Sequence, residues 1–399
     1  MRVMLLSVTA GFGHHATAKA VSDQLESMGA TVETFDIYEY INRVIKETID
    51  KGYLFTSKHT QELYRLTYLL AENHSAGYLS APLSTIRIIN TLGASKFLRI
   101  IRNFNPDAIV CTHIFAAQLV DVLKRKGHLN APTVGIITDY TLHPYWENVP
   151  RIEYIVTASE LLTYRAVKKG ISAERILPYG IPIHPKFNRP LSREDAAAQL
   201  GIDPTRPTIL MMGGSMGYSD NNKLIAKLDR TGLPLQLLVV CGRNQKQYRE
   251  MCALADQRKS KCALLPYGFV DNIEVMMSAA DCIITKPGGL TVSEALAKHL
   301  PMILVNPIPG HEERNVEFLM NNGMAMLVTK TFPVDEAVYH LFHNPDRIAN
   351  MRHTMAAVAH PDATERLSRF ILDLGERADG AAVPDLLPDE LVFDEDEEE

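Results

Sequence analysis

The chain has 399 residues, 46% of them hydrophobic, and five cysteines. That length exceeds one ordinary core and predicts two domains, while the absence of any apolar run of about 18 residues excludes a helix that spans a membrane. The formal net charge of −6 is unevenly placed: eleven acids and one arginine over residues 376–399 carry −10 and leave +4 for residues 1–375.

The chain opens on an apolar strand at 3–8, which we expect to belong to the fold and not to a signal peptide. Strands are also expected at 31–36, 107–112, 132–138, 153–157 and 175–178. Helices are expected between them, among them one running to about Met28 and others at 116–126 and 160–169. A proline-rich stretch at 178–190 reads as the start of a linker extending to about 205. Beyond it strands are expected at 208–212, 235–241, 262–265, 281–285, 301–305 and 325–328, then helices at 345–358 and 362–376. Short continuous apolar strands alternating with helices imply parallel sheets covered on both faces. The expectation is an α/β protein of two doubly wound domains facing a cleft: residues 1–183, and 206–358 after the linker. The helix at 359–376 would cross back to the first domain, and the acidic tail 377–399 would be disordered. Asp394-Glu395-Asp396 has the form of a metal-binding DxD but lies in that acidic run. Cys111, Cys241, Cys252, Cys262 and Cys282 fit neither a zinc spacing nor an even disulfide framework and read as thiols of a reducing cytoplasm.

Glycine-rich turns follow several of these strands, where such sheets bind ligands. Lys286-Pro287-Gly288-Gly289-Leu290-Thr291 opens a helix after strand 281–285, and exposed amides at a helix start suit a diphosphate. Glu294, one turn on, is placed to hold the two hydroxyls of a ribose. A glycine pair that serves turn geometry alone is the plainer alternative. Gly11-Phe12-Gly13-His14-His15 follows the first strand. It lacks the Gly-Lys-Ser/Thr of a P-loop, and the histidine pair replaces the third glycine of a dinucleotide fingerprint. An imidazole there is a general base, an anion-binding donor or a surface residue near a cap. Gly213-Gly214-Ser215, Cys241-Gly242-Arg243-Asn244, Gly268-Phe269-Val270 and Pro309-Gly310-His311-Glu312 end other strands of the second half. Their chemistry suits phosphate, a base face and sugar hydroxyls.

Together, Gly13-His14-x-Ala16-Thr17-Ala18-x-Ala20, Cys241-Gly242-Arg243-Asn244, Gly268-Phe269, Lys286-Pro287-Gly288-Gly289 with Glu294, and Pro309-Gly310-x-Glu312-x-x-Asn315 resemble the glycolipid synthases that glycosylate diacylglycerol. These are the plastid monogalactosyldiacylglycerol synthases and the bacterial processive diacylglycerol glucosyltransferases, and the Lys-Pro-Gly-Gly motif is closer to the latter. The resemblance covers residues 1–370 and implies a GT-B fold, a UDP-sugar donor and inversion at the anomeric carbon. It implies no cofactor and no metal at the diphosphate. His14 would then be the base that takes the acceptor proton, with adjacent His15 a competing imidazole. Asp139, in the matching Thr138-Asp139 pair, would orient His14 or cap its turn, and His143 and Trp146 would line the acceptor side. The donor would meet Gly13, Gly214, Ser215, Arg243, Asn244, Phe269, Val270, Gly288, Gly289, Leu290, Thr291, Glu294, His311, Glu312 and Asn315. His311 would tune the choice of sugar.

An insertion at 41–105 carries nine basic residues against four acids, with Tyr53, Phe55, Arg87, Lys96, Arg99 and Arg102 among its aromatic and basic groups. Such basic, aromatic, amphipathic segments dock on anionic membranes, so a peripheral enzyme at the cytoplasmic membrane face is expected, with no nucleic-acid partner. The competing account packs these helices on the first domain. The leading function is transfer of a hexose, glucose by preference, from UDP to diacylglycerol, with one or two sugars added. The alternatives are a UDP-N-acetylglucosamine transferase acting on a lipid-linked precursor, a sugar epimerase, and a non-catalytic UDP-sugar sensor.

Overall fold

The computed structural model describes residues 1–8, 12–37, 97–213 and 221–377. The chain divides into two units, Met1–Pro182 together with the segment from Ala363, and Ile183–Asp362. Each unit holds a six-stranded sheet, and every strand pair is parallel. All twelve expected strands are present, shifted by at most two residues at either end.

The first sheet has the order β2-β1-β3-β4-β5-β6, formed by β1 (Arg2–Ser7), β2 (Thr31–Asp36), β3 (Ala108–Cys111), β4 (Thr133–Ile136), β5 (Tyr154–Val156) and β6 (Ile176–Leu177). β3 and β4 are buried at every residue, whereas every residue of the edge strand β2 is partly or fully exposed. Helix α1 (Phe12–Ser27) follows β1, α2 (Ile114–Arg125) follows β3 and the short α3 (Thr163–Lys168) follows β5. Residues 97–104 are also helical, and the buried Phe97, Leu98, Ile101 and Phe104 turn their apolar face inward. That segment therefore packs on the protein, and the part of the expected membrane-docking insertion that is described keeps only its polar face, with Arg99, outside. Tyr53, Phe55, Arg87 and Lys96 lie outside the described residues.

The second sheet has the order β12-β11-β10-β7-β8-β9, with β7 (Thr208–Met212), β8 (Gln236–Val240), β9 (Ala263–Tyr267), β10 (Cys282–Thr285), β11 (Met302–Leu304) and β12 (Ala325–Leu327). Its helices are α4 (Arg193–Leu200), α5 (Asn221–Asp229), α6 (Gln245–Gln257), α7 (Ile273–Ala279), α8 (Gly289–Ala297), α9 (His311–Asn321), α10 (Val334–His343) and α11 (Pro345–Val358). The segment read as linker, 184–205, carries structure of its own. Its helix α4 buries Ala196 against Val275 and Ala279 of α7, and Arg193 pairs with Asp281 at the start of β10.

The last helix, α12 (Ala363–Arg377), is strongly amphipathic. Leu367, Ile371 and Leu374 join Val21 and Leu25 of α1 and the β1 residues Val3 and Leu5 in one core cluster of the first unit. Phe370 adds edge-on contacts with Tyr154 at 4.9 Å and Tyr179 at 6.0 Å between ring centroids. Among the described residues no helix is long and apolar enough to cross a membrane.

Candidate active site

In the first sheet the chain reverses its direction of growth between β1 and β3, and open α/β sheets bind ligands beyond the strand ends at such a point. His14, in the first turn of α1, follows β1; Thr112 and His113 follow β3; Thr138 and Asp139 follow β4. His14 Nδ1 lies 2.8 Å from the Thr112 carbonyl oxygen and 3.1 Å from the Thr138 hydroxyl. A carbonyl only accepts, so Nδ1 carries the ring proton and Nε2 is the basic nitrogen. His15 is exposed, which separates the two adjacent imidazoles: the bonded, half-buried one is His14. Thr112 and Thr138 meet Nδ1 of His14, and Asp139 is the immediate neighbour of Thr138.

His113 was passed over in the sequence. Its Nδ1 accepts the Phe115 amide at 3.1 Å and caps α2, which places its proton on Nε2. Its ring stands edge-on to His14, 4.6 Å away between centroids. Burial, then the charges of His14 and His143, hold its pKa well below the usual 6.5, so His113 is neutral at pH 7. The available signal was a histidine two residues past a strand at the reversal point. His143 is half-buried and caps the turn Pro144–Asn148 by accepting the Tyr145 amide at 3.3 Å.

Trp146 corrects the sequence reading. It is 4% exposed, and a Cβ built on Gly135 of β4 would stand 2.5 Å from its Cζ3. The indole fills the space left by the missing side chain, so Trp146 belongs to the core and does not line an acceptor surface. Arg102 and Arg99 lie on the helical segment 97–104, half-buried and exposed respectively.

In the second sheet the reversal falls between β10 and β7. Thr285, the last residue of β10, donates through its hydroxyl to the Met212 carbonyl at 2.8 Å, tying the two strand ends together. From there the chain passes through Pro287 and Gly288 into α8, whose start has no side-chain cap and no acid in its first turn. The amides of Gly289, Leu290 and Thr291 therefore form a helix terminus that favours an anion. Asn315 is fully buried and donates to the Pro287 carbonyl at 2.8 Å, so it fixes the turn. Glu312 Oε2 accepts the Ile308 amide at 2.5 Å, and its other oxygen would stand 3.9 Å from a Cβ at Gly288. Gly310 precedes α9 with φ at 90°, a conformation open to glycine, and donates its amide to Glu313 at 3.1 Å. His311 begins α9.

Two further strand ends add a base-sized surface. Phe269 follows β9 and is 63% exposed, so a face of its ring is open to a partner. The Arg243 guanidinium, after β8, lies 5.3 Å from its ring centroid, within cation–π range. Val270 follows on the same turn. Asn244 caps α6 by accepting the Gln247 amide at 3.0 Å, so its oxygen is committed to the helix. Glu294 is half-buried on α8. Burial pushes its carboxyl up to about 8, against the attraction of Lys186 and with the repulsion of Glu274. Gly214 and Ser215 lie outside the described residues, as does the turn before Phe12; Gly13 is half-buried within α1.

The family model of monogalactosyldiacylglycerol (MGDG) synthase matches residues 14–183, and that of the glycosyltransferase family 28 C-terminal domain matches residues 208–367. The chain belongs to this glycosyltransferase family. Two similar relatives are processive diacylglycerol beta-glucosyltransferases. That of Bacillus pumilus is 26% identical, covering 93% of this chain and 94% of its own. That of Bacillus subtilis is 27% identical, covering 94% and 96%. The solved structure of MurG from Acinetobacter baumannii covers 93% of this chain and 99% of its own, with a TM-score of 0.65 at 19% identity. The fold is that of the GT-B glycosyltransferases, built from two Rossmann-like units. Within this family frame, both matched segments include a reversal point just described: His14, Thr112 and Thr138 in the first, and the α8 terminus in the second.

Proposed function

We propose that this protein transfers glucose from UDP-glucose to diacylglycerol with inversion at the anomeric carbon. The observation that carries the reading is the family match in both units, with the relatives aligned over nearly the whole chain. The acceptor is a primary hydroxyl that must lose a proton as it attacks. His14 Nε2 takes that proton, and the Nδ1–H bond to Thr112 fixes the tautomer and steadies the imidazolium that forms. The hydroxyl oxygen bonds to the anomeric carbon from the face opposite the leaving group, the anomeric C–O bond to UDP breaks, and negative charge grows on the diphosphate. The amides of Gly289 to Thr291 are fixed dipoles that stabilise this charge without reorganising. In this reading no metal is needed there. Phe269 faces the uracil with Arg243 beside it, Glu294 holds the ribose hydroxyls, and Glu312 and His311 lie toward the sugar. Asn244 and Asn315 act through the backbone segments they fix.

The same reading places the protein on the cytoplasmic face of an anionic membrane, where its acceptor resides, through the net positive insertion at 41–105. Purified protein given UDP-glucose should release UDP only when diacylglycerol is present. Conversion of the sugar without lipid would move the assignment to an epimerase.

A further inference from the structure

His113 carries a donor that nothing assigned above uses. Its Nδ1 accepts the Phe115 amide at 3.1 Å, capping α2. A ring nitrogen that accepts an amide holds no proton, so the imidazole is neutral and its one N–H is at Nε2. The Phe115 amide is the ring's one hydrogen-bond partner among the described residues. The side chain is half-buried, and Nε2 is not shut into the core. A polar N–H in that state is ready for a ligand oxygen.

The chain sets this donor beside the base. His113 comes directly after Thr112, whose carbonyl accepts from His14 Nδ1 at 2.8 Å, so consecutive residues hold His14 and meet its ring. The two imidazoles stand edge-on, 4.6 Å apart between centroids with planes at 84°. Phe115 packs on His113 as well, at 4.9 Å between centroids, and with the cap it fixes the ring's orientation. β3, from which His113 emerges, lies between β1 and β4 in the sheet. His113 therefore follows the strand between those that lead to His14 and to Thr138. The neutrality imposed by the cap matters here, because a second positive ring would oppose the charge that His14 acquires as it takes a proton.

We propose that His113 recognises the acceptor lipid: its Nε2–H donates to the ester carbonyl borne on the carbon next to the attacking hydroxyl, while His14 Nε2 takes the hydroxyl proton. The proposal rests on the acceptor reading above and names the part of the lipid that the site selects. Hydrogen bonds span about 2.7–3.2 Å, so two rings this close suit two oxygens joined by a short glycerol segment. One contact leaves the hydroxyl free to swing; two hold it in the attacking orientation. An uncharged carbonyl is a fitting partner for a neutral N–H.

The test is initial-rate kinetics of the full chain with UDP-glucose and two acceptors in the same anionic liposomes. One is 1,2-diacylglycerol; the other is its 1-acyl-2-alkyl analogue, which keeps the hydroxyl and both chains but has an ether in place of the sn-2 ester. Wild type should favour the diacyl lipid in kcat/KM by about fivefold, the worth of one neutral hydrogen bond. H113N keeps an oxygen to cap α2, and H113F keeps a ring beside His14. Both should lose rate on the diacyl lipid and little on the ether analogue, which brings the ratio close to unity. A wild type that treats the two lipids alike overturns the proposal, and that arm does not depend on how any variant folds. Losses shared equally by both lipids reduce His113 to packing on His14 and overturn it too, as does a raised KM for UDP-glucose with the lipid ratio intact. No transfer by wild type to either lipid instead overturns the acceptor reading itself. Thermal melting of each variant separates these outcomes from unfolding.

Discussion

Replacing Gly135 with alanine tests whether Trp146 is core or acceptor surface. The added Cβ would stand 2.5 Å from Trp146 Cζ3, 3.0 Å from Cη2 and 3.5 Å from Ile152 Cγ2. Carbon atoms pack at roughly 3.5–4.0 Å, so the indole must retreat by about 1 Å into an interior with no slack. Overpacking of this kind costs about 1–3 kcal/mol. Trp146 is the chain's single tryptophan, so its fluorescence reports unfolding of the first unit in urea, with circular dichroism for variants lacking it. G135A should unfold at lower urea. W146F alone should also destabilise, but the double variant should recover at least about 1 kcal/mol relative to the sum of the two, because the smaller ring vacates the contested space. Strict additivity, or a G135A protein as stable as wild type, would refute the packing argument. A W146F protein of unchanged stability but raised KM for lipid would return Trp146 to the acceptor side.

Four further outcomes follow from the same geometry. H14Q should lose transfer by at least about a hundredfold while UDP affinity, measured by calorimetry, stays at the wild-type value. N315L leaves the Pro287 carbonyl without its buried donor and should cost about 1–3 kcal/mol of second-unit stability, with weakened UDP binding read in parallel. H113A removes the cap of α2 and should cost about 1 kcal/mol, whereas H113N keeps a capping oxygen and should melt near wild type but turn over more slowly. Glu294 has a native pKa of about 8 against an ordinary 4.5. The native state therefore holds a proton that the unfolded chain releases, and stability falls as pH rises through that window. E294Q should flatten this fall in urea titrations between pH 5 and pH 8; an identical slope in both proteins would contradict the buried carboxyl.

The parallel architecture was legible because its strands are short apolar runs buried on both faces, as in Ala108–Cys111 and Gln236–Val240. The glycine turns stood out for the same reason, each following such a run. Less legible were roles that depend on distance between elements. Nothing near Trp146 in the sequence marks Gly135 as its partner, and an aromatic beside a histidine resembles a binding surface until burial is known. Asn315 reads as a polar group suited to a sugar, yet its amide is committed to a carbonyl 28 positions earlier. His113 gave no motif at all. It is a cap whose ring meets His14 from another strand end. The apolar spacing at 97–104 was visible, but periodicity does not say whether a helix turns that face to lipid or to its own core.

The measurement that bears most directly on the account is transfer of label from UDP-glucose and, in parallel, UDP-galactose to diacylglycerol in anionic liposomes by the purified full chain. The account predicts a labelled, β-linked glycolipid from UDP-glucose that disappears in H14Q. No glycolipid from either donor, with UDP binding intact, would contradict it.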